Sequence, residues 1–342
     1  MSRLNLILAT VMLLTGLLIS APAHSGAVPE AGAVPEELTA RAQAMPRLHS
    51  LLLLHEGEPA LSLHLRGPGL SEPANIKSVS KTVLSVLAGM ALDRGLIESP
   101  DQPVVELLGD RVPAAAADGV AEIRFGHLLS MQAGLQSTSG SNYGRWVQSP
   151  DWVAHVLRQP LVDEPGGRMI YSTGTTHLVS AVLHETTGRS TRDLAHDWLG
   201  APLNIRIPDW PRDPQGIHFG GNEMQLSPRA LARIGELYRL GGSLNGERIL
   251  SADWIAASWQ PRGHSRWTGH AYGYGWFLTE AAGLPAYYGR GFGGQLLYVV
   301  PDAGLTLVVT SDPRPPSPGG RYFRELTDLA EDLVQWVLDD LR

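Results

Sequence analysis

Lys77-Ser78-Val79-Ser80-Lys81-Thr82-Val83-Leu84-Ser85-Val86-Leu87-Ala88-Gly89-Met90-Ala91-Leu92 is the stretch on which the reading of this chain turns. Its apolar residues Val79, Val83, Leu84, Val86, Leu87, Met90, Ala91 and Leu92 cover most of the circumference of a helix, predicted over Ser78 to Leu96. A helix that is apolar nearly all round is usually buried in a large core. At its start stand the only two lysines of the 342-residue chain, beside 25 arginines. Two lysines four apart, where arginine is used everywhere else, imply that arginine cannot replace at least one of them. Ser78 and Lys81 are three apart and share a helix face. Serine needs a base to become a nucleophile, and lysine serves as one only when its pKa falls from about 10.4. The positive end of the helix dipole and the apolar surroundings both act in that direction, and Lys77 is expected to add like-charge repulsion. Arginine stays protonated and could not serve. The helix start also directs the Ser78 N–H toward an anion forming on a bound carbonyl. Taken alone, Ser-x-x-Lys occurs often by chance and is more commonly a capped surface helix.

Two further elements join it. Tyr171-Ser172-Thr173-Gly174 follows Glu164-Pro165-Gly166-Gly167 and precedes an apolar helix. A tyrosine at such a turn can project into a cleft and relay a proton between Ser78 and a leaving group, or simply pack on the core. Tyr288-Gly289-Arg290-Gly291-Phe292-Gly293-Gly294-Gln295 leads into a strand. Its glycines let a ligand approach the backbone closely, and its N–H groups can complete an oxyanion hole. A plain glycine-rich hairpin has the same appearance.

Outward from these motifs, His49–Leu54 and Ala60–Arg66 flank Glu56-Gly57-Glu58-Pro59 as a predicted hairpin. Helices are predicted at Ile123–Ser130, Asp151–Gln159, Thr175–Thr187, Ser190–Leu199 and Ser227–Leu240, the last opened by Ser227-Pro228. Strands are predicted at Gly273–Thr279, Gln295–Val300 and Leu305–Thr310, and a final helix at Phe323–Leu341. Strands at both ends with a helical block between them predict one antiparallel sheet built from both termini, helices packed on it, and an all-helical insertion. The fold class is α/β of the α+β kind.

The three elements, in this order and spacing, resemble the serine β-lactamase and penicillin-binding-protein superfamily, nearest to the class C β-lactamase-related hydrolases that include esterases and 6-aminohexanoate-dimer hydrolases. Ser78-Val79-Ser80-Lys81-Thr82 matches that family's Ser-x-x-Lys motif, and His127-Leu128-Leu129-Ser130-Met131-Gln132-Ala133-Gly134-Leu135 is similar to its HLLxxxSGL stretch. Tyr171-Ser172-Thr173 matches Tyr-x-Asn with threonine in the asparagine position. Gly220-Gly221-Asn222 and Leu226-Ser227-Pro228 resemble the segment before the long helix. The Lys-Thr-Gly triad would fall at Gly289-Arg290-Gly291, so its lysine and threonine are missing. The resemblance implies a β-lactamase/transpeptidase-like fold with the cleft between the sheet domain and the helical subdomain. It implies Ser78, Lys81 and Tyr171 as catalytic residues, the N–H groups of Ser78 and Phe292 as the oxyanion hole, and Tyr143, Arg290 and Gly291 as substrate-binding residues.

Composition sets the remaining bounds. A net charge of −7 with no basic run argues against nucleic acid as a partner. Zero cysteines exclude disulfides, thiolate zinc sites and a cysteine nucleophile. The twelve histidines form no His-x-x-x-His, so neither metal nor cofactor is expected. Arg3, the apolar stretch Leu4–Ile19 and Ala21-Pro22-Ala23 read as a signal peptide over 1–23, followed by a flexible leader at 24–37 and a hydrolase domain at 38–342. The expected protein is exported, periplasmic or secreted, with no stable membrane insertion after cleavage, and takes a small-molecule ester or amide. The alternatives are a β-lactamase, a D-amino-acid peptidase, or a slow-deacylating sensor of peptidoglycan fragments that does not turn over.

Overall fold

Strand β1, Leu48–His55, reads LHSLLLLH because both its faces are buried. Leu52 and Leu54 face one apolar cluster, with Val83, Leu87, Leu231 and Ile234. Leu51 and Leu53 face a second, with Leu326, Leu333 and Val337. The strand alternates between two cores, as a period of two requires. This computed structural model describes residues 34–314, 316–317 and 319–340. The expected signal segment 1–23, and residues 24–33 of the expected leader, lie outside the described residues. The leader's last two residues, Glu36 and Glu37, instead open helix α1, Glu36–Ala44, whose Ala42 is buried in the second core.

The sheet has eight strands. They are β1, β2 (Glu58–His64), β3 (Gly263–His264), β4 (Ala271–Tyr272), β5 (Phe277–Ala281), β6 (Leu284–Gly291), β7 (Gln295–Val300) and β8 (Leu305–Ser311). Their order is β2-β1-β8-β7-β6-β5-β4-β3, and the described pairings are antiparallel. β1 pairs with β2 (Leu51↔Leu63) and with β8 (Leu52↔Val308), so both ends of the chain build the sheet, as the sequence predicts. Helices α2 (Ser80–Asp93) and α4 (Pro228–Arg239) supply the first core, α5 (Gly319–Asp340) the second. Helix α3, Thr173–Thr187, lies in the helical block inserted between β2 and β3, with shorter helices such as Phe125–Leu129, Tyr143–Val147 and Trp152–Leu157.

Several boundaries differ from the sequence reading. The nucleophile segment is a separate 3-10 turn, Lys77–Val79, ahead of α2, because Lys77 takes a left-handed backbone (φ +49°). The segment expected as a helix from Ile123 begins at Phe125, because Arg124 is extended and its backbone N–H donates to His127 Nδ1 at 3.1 Å. The strand expected over Gly273–Thr279 begins only at Phe277, because Gly273–Trp276 form a turn. There Gly273 N–H donates to Trp276 O and Tyr274 N–H to Ser258 O. Leu284–Gly291, read only as a glycine-rich approach, is a full strand paired on both sides. One helix start follows its expected chemistry, Ser227 Oγ accepting from Ala230 N–H with Pro228 next, whereas the helix expected from Thr175 begins at Thr173, capped by Ser172 Oγ, which accepts from Thr175 N–H. Among the described residues no helix is long and apolar enough to cross a membrane.

Candidate active site

Ser78 sits in the 3-10 turn, and Lys81 lies one turn on, in the first turn of α2 and fully buried. Lys81 Nζ has three neighbours: Ser78 Oγ at 3.0 Å, Thr173 Oγ1 at 3.3 Å and the carbonyl oxygen of Gly221 at 2.6 Å. Its nitrogen also lies 5.0 Å from the Tyr171 ring centre. Burial pushes the Lys81 pKa down, and Tyr171 opposes that shift by favouring the charged form.

The hydrogen bonds define what each protonation state does. An ammonium has three hydrogens for three acceptors. A neutral amine has two hydrogens and one lone pair. Gly221 O can only accept, and Thr173 can direct its own hydroxyl hydrogen to Ser139 Oγ, 3.0 Å away. The two amine hydrogens then go to Gly221 O and Thr173 Oγ1, and the lone pair is left facing the Ser78 hydroxyl. The arrangement is that of a serine with a base in contact.

Gly221 makes this possible. Its φ is +83°, and a Cβ there would lie 3.0 Å from Lys81 Cγ and 2.8 Å from Thr176 Cβ. The next two residues also reach the site. Asn222 Nδ2 donates to the Tyr143 hydroxyl at 3.0 Å, and Glu223 accepts from Lys77 Nζ at 2.8 Å and Asn75 Nδ2 at 2.6 Å. Lys77 is therefore ion-paired. The like-charge repulsion expected from it is not among the causes of the Lys81 shift, which burial dominates.

The end of β6 lies against the same turn. A Cβ on Gly291 would come within 2.5 Å of Ile76 O and 3.0 Å of Lys77 Cβ, and one on Gly289 would collide with Thr82 Oγ1. Both glycines are needed for the strand to pack on the start of α2. Arg290, expected to bind substrate, takes the opposite face by the pleat of the strand. Its guanidinium stacks 3.8 Å from the Phe323 ring centre at the start of α5. Phe292 begins the β6–β7 turn, is partly exposed, and its carbonyl accepts from Gln295 Nε2.

Tyr143 is half-buried, with its phenol pKa pushed up by burial, and it stacks on Phe219. Tyr171 presents its ring edge-on to Trp267, which is 67% exposed. The structure thus brings Ser78, Lys81 and Tyr171 together, ties Tyr143 to the Gly221–Glu223 loop and turns Arg290 away. Sequence reasoning missed the Gly221 carbonyl, Glu223, Ser139 and Trp267. The first is a backbone acceptor, which no residue type marks in a sequence. A separate cavity of about 310 Å³, lined by Asp101, His127, Gln132, Arg262 and Tyr274 among others, includes none of the Ser78 cluster.

The family model described as Beta-lactamase matches residues 71–331. The chain is similar to the 6-aminohexanoate-dimer hydrolase of Paenarthrobacter ureafaciens, at 22% identity over 222 residues, 60% of this chain and 55% of that protein. It therefore spans about half the length of that curated relative. Among solved structures, a family VIII carboxylesterase superposes with a TM-score of 0.70 at 20% identity, covering 89% of this chain and 97% of that one. A D-stereospecific amidohydrolase from Streptomyces sp. gives 0.65 at 17% identity, covering 84% and 97%. At these identities the solved structures establish a shared fold.

Proposed function

This chain belongs to the beta-lactamase family, and from that premise we propose that it is an exported serine hydrolase that cleaves small esters or amides through an acyl-enzyme on Ser78. The observation that carries the proposal is the 3.0 Å contact between Ser78 Oγ and the Nζ of a buried lysine whose pKa is lowered. Similarity to a dimer hydrolase, a carboxylesterase and an amidohydrolase supports the same reaction class.

In the proposed reaction the Ser78 hydroxyl gives its proton to the Lys81 lone pair while Oγ bonds to the substrate carbonyl carbon. The N–H groups of Ser78 and Phe292 hold the resulting oxyanion. Collapse of the tetrahedral species breaks the bond to the leaving group, which Tyr171 protonates, sharing the transfer with Lys81. Water then attacks the acyl-enzyme, the same groups taking its proton, and the free acid leaves with Ser78 restored.

Substrate preference follows from the β6 packing. A side chain at 289 would collide with Thr82, so the strand has no lysine there to pair with a substrate carboxylate. Short-chain esters and small amides are the proposed substrates, ahead of penicillins and cephalosporins. Export rests on Arg3, the apolar Leu4–Ile19 and Ala21-Pro22-Ala23, and N-terminal sequencing of the secreted product tests it.

A fluorophosphonate probe should label Ser78. Ser78→Ala should lose the label and at least about a thousandfold in ester hydrolysis. Label retained in Ser78→Ala would falsify the assignment. A burst of acylation without turnover would instead favour the sensor alternative.

A further inference from the structure

His177 and Asp213 are a fully buried titratable pair that the proposed reaction leaves unused. Both side chains are 0% exposed, and neither touches Ser78, Lys81 or Tyr171 in the hydrogen-bond network. The ring of His177, on α3, is enclosed edge-on by Trp146, Trp152 and Phe219. Its Nδ1 receives the backbone N–H of Gly220 at 3.1 Å. A backbone N–H can only donate, so Nδ1 carries no hydrogen. The ring's single hydrogen is on Nε2 and is donated to Asp213 Oδ2, 3.1 Å away. The other carboxylate oxygen, Oδ1, accepts from the N–H groups of Gln215 and Ile217, which fixes the carboxylate.

Gly220 directly precedes Gly221, whose carbonyl takes a hydrogen from Lys81 at 2.6 Å. A Cβ on Gly220 would lie 2.6 Å from Thr176 O, so the segment is pressed onto α3 with no side chain between them. Resting on the acyl-transfer reading above, we propose that Asp213 and His177 are positioning residues for Lys81. Asp213 selects the His177 tautomer that accepts from Gly220, and that bond sets the Gly221 carbonyl that aims the lysine lone pair at Ser78.

Asp213→Asn tests the tautomer directly. The amide oxygen stays with the two backbone donors at Gln215 and Ile217, so the NH2 faces His177 Nε2. The ring hydrogen must then move to Nδ1, where it confronts the Gly220 N–H, donor against donor. In 15N NMR the wild-type His177 should show the Nε2–H form and Asp213→Asn the Nδ1–H form. Single-turnover acylation by p-nitrophenyl butyrate should fall about tenfold or more in Asp213→Asn, the scale of one lost hydrogen bond, with KM within about twofold.

His177→Asn separates this from a structural role. It opens a void among the three aromatic rings and should unfold at a lower temperature than Asp213→Asn. Its side-chain oxygen still accepts from Gly220, so acylation should stay within about threefold of wild type. Rate losses ordered by thermal stability, wild-type acylation in Asp213→Asn, or an Nδ1–H ring in the wild type would each overturn the proposal. Fluorophosphonate labelling of wild-type Ser78 distinguishes the two levels. No label brings down the acyl-transfer reading and this inference with it, whereas normal label with normal Asp213→Asn acylation brings down only the positioning role.

Discussion

Lys77 and Glu223 form an ion pair, Nζ to Oε1 2.8 Å, between two non-glycine residues that both hold a left-handed backbone (φ +49° and +64°). Asn75 closes the triangle, accepting from Lys77 N–H and donating to Glu223 Oε2. A left-handed L-residue costs roughly 1–2 kcal/mol, and strain of this kind collects at functional sites. Here it turns the chain one residue before Ser78. Glu223→Ala should destabilise the fold by about 1–3 kcal/mol, the cost of leaving a charge-assisted bond unmade, and slow acylation. Lys77→Arg keeps the pair and should be mild. Urea unfolding and ester kinetics on the two variants check this, and equal losses in both would contradict it.

Lys81→Arg keeps the charge but has no accessible neutral form, so it should be nearly as damaging to turnover as Lys81→Ala. The pH dependence has a definite sign. Burial lowers the folded-state pKa of Lys81 below its ordinary 10.5, so the unfolded chain binds this proton more tightly than the folded one. The associated stability is full above the unfolded pKa and declines as pH falls toward the lowered folded value. Relative to Lys81→Met, wild-type stability should rise between neutral pH and pH 10. kcat/KM should rise with pH as the neutral amine forms, and should level off below pH 10.5. A flat stability difference would argue against the lowered pKa.

Tyr171→Phe removes only the hydroxyl. It should slow acylation by amides more than by p-nitrophenyl esters, because an amine leaving group needs a proton and p-nitrophenolate does not. Equal losses on both substrates would leave Tyr171 a structural role alone.

Gly291→Ala meets a backbone carbonyl, Ile76 O, which cannot move aside as a flexible side chain can. It should disturb the turn carrying Ser78 and lose most activity. Nitrocefin should be a poorer substrate than p-nitrophenyl butyrate by at least about tenfold, the effect of one missing charge-assisted bond to its carboxylate. The ratio of the two kcat/KM values on one preparation measures it, and nitrocefin ahead by tenfold would replace the esterase reading with the β-lactamase one.

Trp267 is exposed and edge-on to Tyr171. Trp267→Ala should leave the melting temperature within about 2 °C, as surface changes usually do. It should raise KM for aryl esters more than it lowers kcat. A kcat effect without a KM effect would place Trp267 in orienting Tyr171 instead.

Ser78 and Lys81 were legible because their relation is local: two residues at one helical step, marked by the scarcity of lysine. The sheet was legible because β1, β7 and β8 are apolar on both faces and admit no other role. Arg290 was misplaced because alternation fixes that it differs from its neighbours without fixing which face meets the nucleophile, and that depends on how β6 lies on α2. The break at Gly273–Trp276 was hidden because Tyr272, Tyr274 and Trp276 alternate with glycine just as a strand would. Strand β6 was obscured by Pro285, Gly289 and Gly291, which are poor strand formers, and the two glycines are there for close packing on the start of α2. The Gly221 carbonyl left no mark at all, since a backbone acceptor has no residue type of its own.

The sheet order bears on how the chain is made. Leu52 of β1 is synthesised long before its neighbour Val308 of β8. Until β8 arrives, β1 has only the short hairpin partner β2, and a two-stranded hairpin is marginal in water. Pairings so distant in sequence form slowly. The N-terminal half therefore has no completed sheet to fold against while the rest of the chain is still being added. A polypeptide whose sheet stays open until β8 has been added is in the state that a narrow translocation channel accepts, which suits the export proposed for this one.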